Sequence, residues 1–229
     1  RKQSPEAGDD QMSLLTNWGY LIDQNVTELP EMLSQSTFGD MTAGKYSGDV
    51  RIPSMISAAQ AAIRNYCGWH VAPSLTCGMV YNVRDLRDAF VGPDLLVQLP
   101  ATYVTGIQKV ILNAVLNPST GLYEGDETDD YEIGMGTGLL RIYDVGCLDR
   151  KSRIFIKYTA GYTSTPSAIK ELTADRVAHA VTNPFGVSSE AAGGVSVSYS
   201  GAWAGSSNSS SLPNDSRETL EAYRVKGVF

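Results

Sequence analysis

The stretch RIPSMISAAQAAIRNYCGWHVAP, Arg51 to Pro73, decides the fold. Ile52, Ile56, Ala59, Ile63 and Tyr66 follow one another at steps of four, three, four and three, which at about 3.6 residues per turn sets them along one stripe of a helix. Pro53 suits the first turn, where a missing N–H costs nothing, and Gly68 suits a left-handed stop. The segment is therefore predicted to be an amphipathic helix that buries one face and ends in an aromatic plug around Trp69.

Upstream, Arg1 to Gln11 is charged and small, as a mobile terminus is. Leu14, Leu15, Trp18, Leu21 and Ile22 sit at helical spacing around Gly19, which predicts a short arm helix. Ser34 to Asp49 holds Gly39, Gly44 and Gly48 among Ser, Thr and Asp, and reads as a loop into the main helix.

Downstream, from about Val80 to Tyr162, the period changes to two. Val110, Leu112, Ala114 and Leu116 alternate, as do Ile154, Ile156 and Tyr158, and Leu95 to Leu99, Tyr131 to Met135 and Leu139 to Tyr143 add three more strands. Turn-rich pieces such as Asn117 to Gly121 separate them, so a small antiparallel sheet in a sandwich or barrel-like arrangement is expected. Helical spacing returns after Thr165, a candidate N-cap, and Pro166, with Ile169, Leu172, Val177, Ala180 and Val181 forming an apolar strip that Asn183-Pro184 stops.

Gly186 to Ser211 is rich in Gly and Ser and predicts a flexible span, within which Val195, Val197 and Tyr199 alternate like a strand lacking a sheet. Asp215 and Glu218 resemble a capping box that opens a last helix, with Leu220 and Tyr223 on one face. The fold class is thus α+β, a small α-helical bundle scaffold with an inserted antiparallel β-sheet domain. Its pieces are an arm and loop (1–50), the first scaffold helix and plug (51–78), the β-insertion (79–164), the second scaffold helix (165–185), the Gly/Ser loop with its strand (186–213) and the C-terminal helix and tail (214–229).

A chain of 229 residues with 42% hydrophobic and 19% charged residues can bury a full core. It has no apolar run of membrane-spanning length and no charged-then-apolar opening, so neither a membrane span nor a signal peptide is expected. Three cysteines, Cys67, Cys77 and Cys147, are too few and odd in number for a disulfide scaffold, which makes a reducing compartment the default. Without a secretory signal, the glycosylation patterns at Asn25 and Asn208 carry no weight. Eighteen basic against 25 acidic residues leave a net charge of -7, so tight gripping of nucleic-acid phosphates is excluded.

Catalytic chemistry finds little to work with. The histidines are His70 and His179, and His179 lies beside an apolar strip as a half-buried structural residue does. Gly134 to Gly138 falls between two strands with no helix after it, so it reads as a hairpin turn and not as a phosphate cradle. Cys67, His70, Cys77 and Cys147 are ligand types that zinc prefers, but a buried free cysteine is the commoner state of a residue such as Cys67. Asp126, Glu127, Asp129 and Asp130 lack the order of a twelve-residue calcium loop and read as a solvated turn. No catalytic residue, metal or cofactor is expected.

Four pieces in their order, ISAAQAAIRNYCGWHVAP (Ile56–Pro73), LPATYVTGIQKV (Leu99–Val110), IFIKYTAGYTSTP (Ile154–Pro166) and TLEAYR (Thr219–Arg224), resemble the head-to-tail connector, or adaptor, proteins of long-tailed bacteriophages. The resemblance spans most of the chain from about Gly48 onward. It implies a non-enzymatic neck protein of the virion, made in the bacterial host cytoplasm. Such a protein forms a dodecameric ring on the portal of the DNA-filled capsid, extends the DNA channel and offers a platform to the next neck protein, a stopper or tail-completion protein. Packaged DNA would pass without specific binding, which an acidic balance suits.

On that reading Leu220, Tyr223, Arg224, Val225, Lys226, Val228 and Phe229 form the portal-binding end, with packing of the last helix on its own scaffold as the alternative. Trp69, Val195, Val197, Tyr199 and Trp203 are the inter-subunit candidates, although Trp203 could equally fold back on its own core. Two readings from other classes are a stand-alone β-sandwich binding module for carbohydrate or protein ligands, which would stay monomeric, and a hydrolase built on Cys67, His70 and Cys77, which would hold stoichiometric zinc.

Overall fold

Strand β10 (Arg153–Ala160) organises the larger sheet, because it is buried on both faces. Ile154, Ile156, Tyr158 and Ala160 have no exposed surface, and Phe155 on the opposite face is 4% exposed. A strand covered on both sides reads as a nearly continuous apolar run, which RIFIKYTA is. In the computed structural model, which describes residues 12–15, 18–23, 26, 28–134, 136–145, 148–183, 189–192, 195–198 and 214–225, the chain is α+β and divides into two compact units.

The first unit comprises 1–29, 74–162 and 225–229. Its described strands are β1 (Met12–Leu15), β2 (Leu21–Asp23), β3 (Leu75–Asn82), β4 (Phe90–Val91), β5 (Asp94–Gln98), β6 (Val104–Leu116), β7 (Tyr123–Glu127), β8 (Tyr131–Gly134), β9 (Leu139–Ile142) and β10, with a 3-10 turn at Val83–Ala89. They form an antiparallel sheet in the order β1-β2-β3-β10-β6-β7 and a second in the order β4-β5-β9-β8. Both are open among the described residues, so no closed barrel forms. Strand β10 pairs with β3 from Arg153↔Asn82 to Ala160↔Leu75, and with β6 from Phe155↔Ile111 to Ala160↔Val104.

One expectation changes here. The arm is a β-hairpin and not a helix: Leu14 faces Ile22, Leu15 faces Leu21, and Gly19 takes φ +83 in the turn between them. The apolar residues are symmetric about Trp18, so they satisfy a folded-back pair as well as a helical stripe, and β3 offers β2 an edge to join. Gly134 to Gly138, by contrast, is the hairpin turn that was read: Gly134 pairs with Leu139 across β8 and β9.

The second unit comprises 30–73 and 163–224. Helix α1 (Gln35–Met41) lies where a loop was expected. Its residues are weak helix formers, but Ser34 Oγ accepts from the Thr37 N–H at 3.2 Å and Phe38 is buried in the core, so a cap and tertiary burial override propensity. Helix α2 (Ile52–Cys67) runs as its stripe predicts and stops at Gly68 with φ 78. Helix α3 (Ser167–Thr182) begins with Pro166 at the cap, one residue later than Thr165 would place it. Leu33, Phe38, Ile52, Ile56, Ala59, Ala174 and Val177 form this unit's core. Among the described residues, strands β11 (Ser189–Ala192) and β12 (Val195–Ser198) pair only with each other, and helix α4 (Asn214–Glu221) follows.

The far flank of α2 carries Gln60 and Arg64, one turn apart and both buried. Gln60 Oε1 accepts from the Met32 N–H. Arg64 donates from Nε to the His70 carbonyl at 3.0 Å, and from Nη2 to the carbonyls of Pro30 at 2.5 Å and Ala72 at 3.0 Å. Arg64→Met strips three carbonyls of this donor and is expected to cost roughly 3 kcal/mol or more, read as a lower urea midpoint with an unchanged slope. Arg64→Lys should fall between the two, because an ammonium cannot reproduce the planar fork. A midpoint unchanged in Arg64→Met would remove the guanidinium from its central role.

Candidate functional site

The candidate docking end begins at helix α4. Two turns of helix are not stable alone in water, and this one is held by the end of α2. Leu220 has no exposed surface, Tyr66 Oη donates to Glu221 Oε1 at 2.6 Å, and Trp69 Nε1 donates to the Tyr223 carbonyl at 2.6 Å. Arg224 pairs with Glu221 at 3.0 Å and lies 5.4 Å from the centre of the Tyr66 ring. The Glu221 carboxylate beside Tyr66 raises the phenol's pKa above its ordinary value.

This geometry sorts the sequence-derived residues. Leu220 is committed to its own unit, as the alternative reading of the helix had it, while Tyr223 is half-buried and Arg224 is exposed. Trp69 has no exposed surface, so its ring serves the core of its own unit and presents no free face to a neighbouring subunit. Val225 is half-buried, and Lys226, Val228 and Phe229 lie outside the described residues. Val195 and Val197 occupy β12, whereas Tyr199 and Trp203 lie outside the described residues. The network among Tyr66, Glu221 and Arg224 was not anticipated. The sole sequence signal for it was Tyr66 at the end of the apolar stripe, which carries a hydroxyl that a core position would have to satisfy.

Of the candidate metal ligands, Cys67 and His70 belong to the second unit and Cys77 to the first, while Cys147 lies outside the described residues. Among the described residues no group of three or more His, Cys, Asp or Glu side chains is placed to hold a metal. His70 is fully buried with its ring 5.5 Å from Trp69, edge to face. His179 is half-buried on α3, and its Nε2 finds no hydrogen-bond partner among the described residues. Asp126 and Glu127 lie in β7, with Asp129 and Asp130 in the connection to β8, and all four are exposed. Among the described residues no helix is long and apolar enough to cross a membrane.

Burial, with a smaller contribution from Glu221, raises the Cys67 thiol to about 12 from an ordinary 9.0, and burial drives Cys77 upward as well. The folded chain therefore keeps these protons at pH values where the unfolded chain releases them. The contribution of Cys67 is complete below about pH 9 and is lost as the pH rises through 12, and that of Cys77 is lost in the same direction. Native protein at pH 8 should leave Cys67 and Cys77 unmodified by a thiol reagent, and both should react in denaturant. Rapid native labelling of either would contradict this burial. Trp69→Phe removes the donor to Tyr223 and is expected to cost about 1–2 kcal/mol, with the loss of protection concentrated in Asn214 to Tyr223 by hydrogen exchange.

No protein-family model matches the chain, and no curated protein matches it. Among solved structures it is similar to a chain from the neck of a native GTA particle computed with C12 symmetry. The two are 16% identical, the match covers 89% of this chain and 95% of that one, and the TM-score is 0.50. At that identity the likeness is one of fold, and it runs through both units.

Proposed function

We propose that the chain is a structural neck protein of a phage or phage-like particle, an adaptor whose copies form a dodecameric ring on the portal of the DNA-filled capsid. The observation that carries this reading is the likeness of fold to a neck chain from a particle computed with C12 symmetry, over nearly the whole of both chains. The order of motifs that resembles phage adaptors, read from the residues alone, points the same way. In this role the ring extends the DNA channel, offers a platform to the stopper or tail-completion protein, and has no catalytic step.

Three physical features suit the role. A net charge of -7 disfavours tight contact with passing DNA. The β11–β12 hairpin is a two-stranded sheet, which is marginal in water without a further surface, and a neighbouring subunit would supply one. The tail beyond Tyr223 carries Arg224, Lys226 and the apolar Val225, Val228 and Phe229, a composition of anchors and rim cations. With Leu220 buried against its own unit, portal contact in this proposal rests on the segment from Arg224 onward, with Tyr223 at its margin.

Deleting Val225 to Phe229 separates docking from folding. The truncated chain is expected to keep a melting temperature near that of the full chain, because Leu220, Glu221 and the Tyr223 carbonyl retain their partners, and to lose attachment to portal-bearing capsids. Normal attachment by a stably folded truncation would reject the tail as the portal contact, and failure of the full chain to attach would reject the neck assignment.

A further inference from the structure

Strand β6 is 13 residues long, but its pairing with β10 ends at Ile111. From Leu112 to Leu116 it has β7 on one side and, among the described residues, no strand on the other. The β6–β7 pair thus extends past the rest of its sheet as an arm. Val115 is 66% exposed on this arm and Leu116 is 46% exposed.

The two flanks of the arm differ in charge. Along the outer strand β7, Glu124, Asp126 and Glu127 are exposed. Glu124 accepts from Asn117 and Asp126 from Asn113, and neither has a cation within ion-pair distance among the described residues. On the inner flank a groove of about 390 Å³ lies between Asn113, Ala114 and Val115 on one wall and Lys151, Ser152 and Arg153 on the other. Arg150, Lys151 and Arg153 are exposed, and none of them forms an ion pair among the described residues. In a chain of net charge -7, three unneutralised cations within four residues make a concentrated basic rim.

We propose that this groove is a self-recognition site, which takes the acidic β7 strand of a second copy of the chain. The occupant follows from three properties of the groove. Its rim is basic, and β7 supplies carboxylates. Its wall is a stretch of β6 that no strand pairs among the described residues, tied to the facing wall at one point where Ser152 Oγ donates to Asn113 Oδ1 at 2.6 Å, and β7, the terminal strand of its sheet among the described residues, can add to such an edge. That wall includes exposed Val115, which an incoming strand would cover. Because donor strand and acceptor groove occupy opposite flanks of the same arm, the contact is head-to-tail and leaves one copy with a free donor strand and the other with a free groove. That is the interface type from which closed rings are built. The inference rests on the ring reading above and names the surfaces through which neighbours meet.

Charge reversal tests it with the full-length chain. The wild-type protein is expected to self-associate above its 24.6 kDa monomer mass as concentration rises at low ionic strength, and to return toward monomer in ~1 M salt, where the screening length is about 3 Å. Lys151→Glu with Arg153→Glu, and separately Glu124→Lys with Asp126→Lys, should each raise the concentration needed for association about tenfold or more. An equimolar mixture of the two variants should recover association, since each acidic flank then meets a basic one. Thermal melting of each variant near that of the wild type establishes that exposed charge, and not folding, is what changed. Association unaffected by either reversal, no recovery in the mixture, or a wild-type chain that stays monomeric throughout would overturn the proposal. The neck assignment stands or falls separately on attachment to portal-bearing capsids.

Discussion

Arg64 is 6% exposed, and a guanidinium removed from water must recover its hydration from fixed dipoles or destabilise the fold around it. Here the carbonyls of Pro30, His70 and Ala72 contribute to that recovery. Pro30 opens the second unit, and Ala72 lies one residue from the end of that unit's first segment, so one side chain ties together both ends of a 44-residue excursion. The same donor set holds the backbone on either side of Val71, whose φ of 64 is uncommon for a β-branched residue. Strain of that kind, on the order of 1–3 kcal/mol, persists only where the surroundings fix it from both sides. Trp69, next to this loop, extends the arrangement to the carboxyl end through its bond to the Tyr223 carbonyl. The aromatic plug is thus a junction at which the start of the unit, the end of α2 and the turn after α4 are locked by polar bonds inside an apolar shell.

Strand β10 plays the corresponding part in the first unit, by a different physical route. Its order comes from largely apolar side chains on both faces, a full ladder to β3 and a ladder to β6 that two register shifts interrupt. Phe155 illustrates the second face: its ring stacks on Tyr123 at 4.5 Å, within a cluster that includes Ile111 and Ala114. That cluster fastens the root of the β6–β7 arm to the sheet. A rigid root lets an exposed arm present Val115 and its flanking charges in a fixed direction, which lowers the ordering entropy that any contact there must overcome.

Much of the scaffold was legible from spacing. The stripe of α2, its stop at Gly68, the strands β6 and β10 and the turn at Gly134 to Gly138 follow from period and turn chemistry alone. The arm was misread because Leu14, Leu15, Leu21 and Ile22 satisfy a helix and a hairpin equally, and the deciding factor, a free edge on β3, is a tertiary fact. Helix α1 was missed because Ser, Thr, Gly and Asp favour loops locally, and its formation depends on burying Phe38. At the candidate site, Leu220 and Trp69 carried an ambiguity that sequence cannot resolve. Large apolar side chains suit a core and a docking surface alike, and only their burial shows that these two are spent within one unit.

The same reasoning explains how a fold can be shared with a neck chain at 16% identity. An apolar run in β10 that is covered on both faces, a helical stripe in α2 and a left-handed stop after it constrain residue class at each position far more than residue identity, and cores of equal volume and pattern are widely interchangeable. Charges on exposed flanks are under no such constraint from folding. Arg150, Lys151 and Arg153 could each be replaced by an acidic or neutral residue with little effect on the core, since none of them is buried or paired within the described chain. Folding therefore leaves the charges of this rim free for contact with another copy, the role proposed for it, in which complementary flanks set both the affinity between copies and the direction in which they meet.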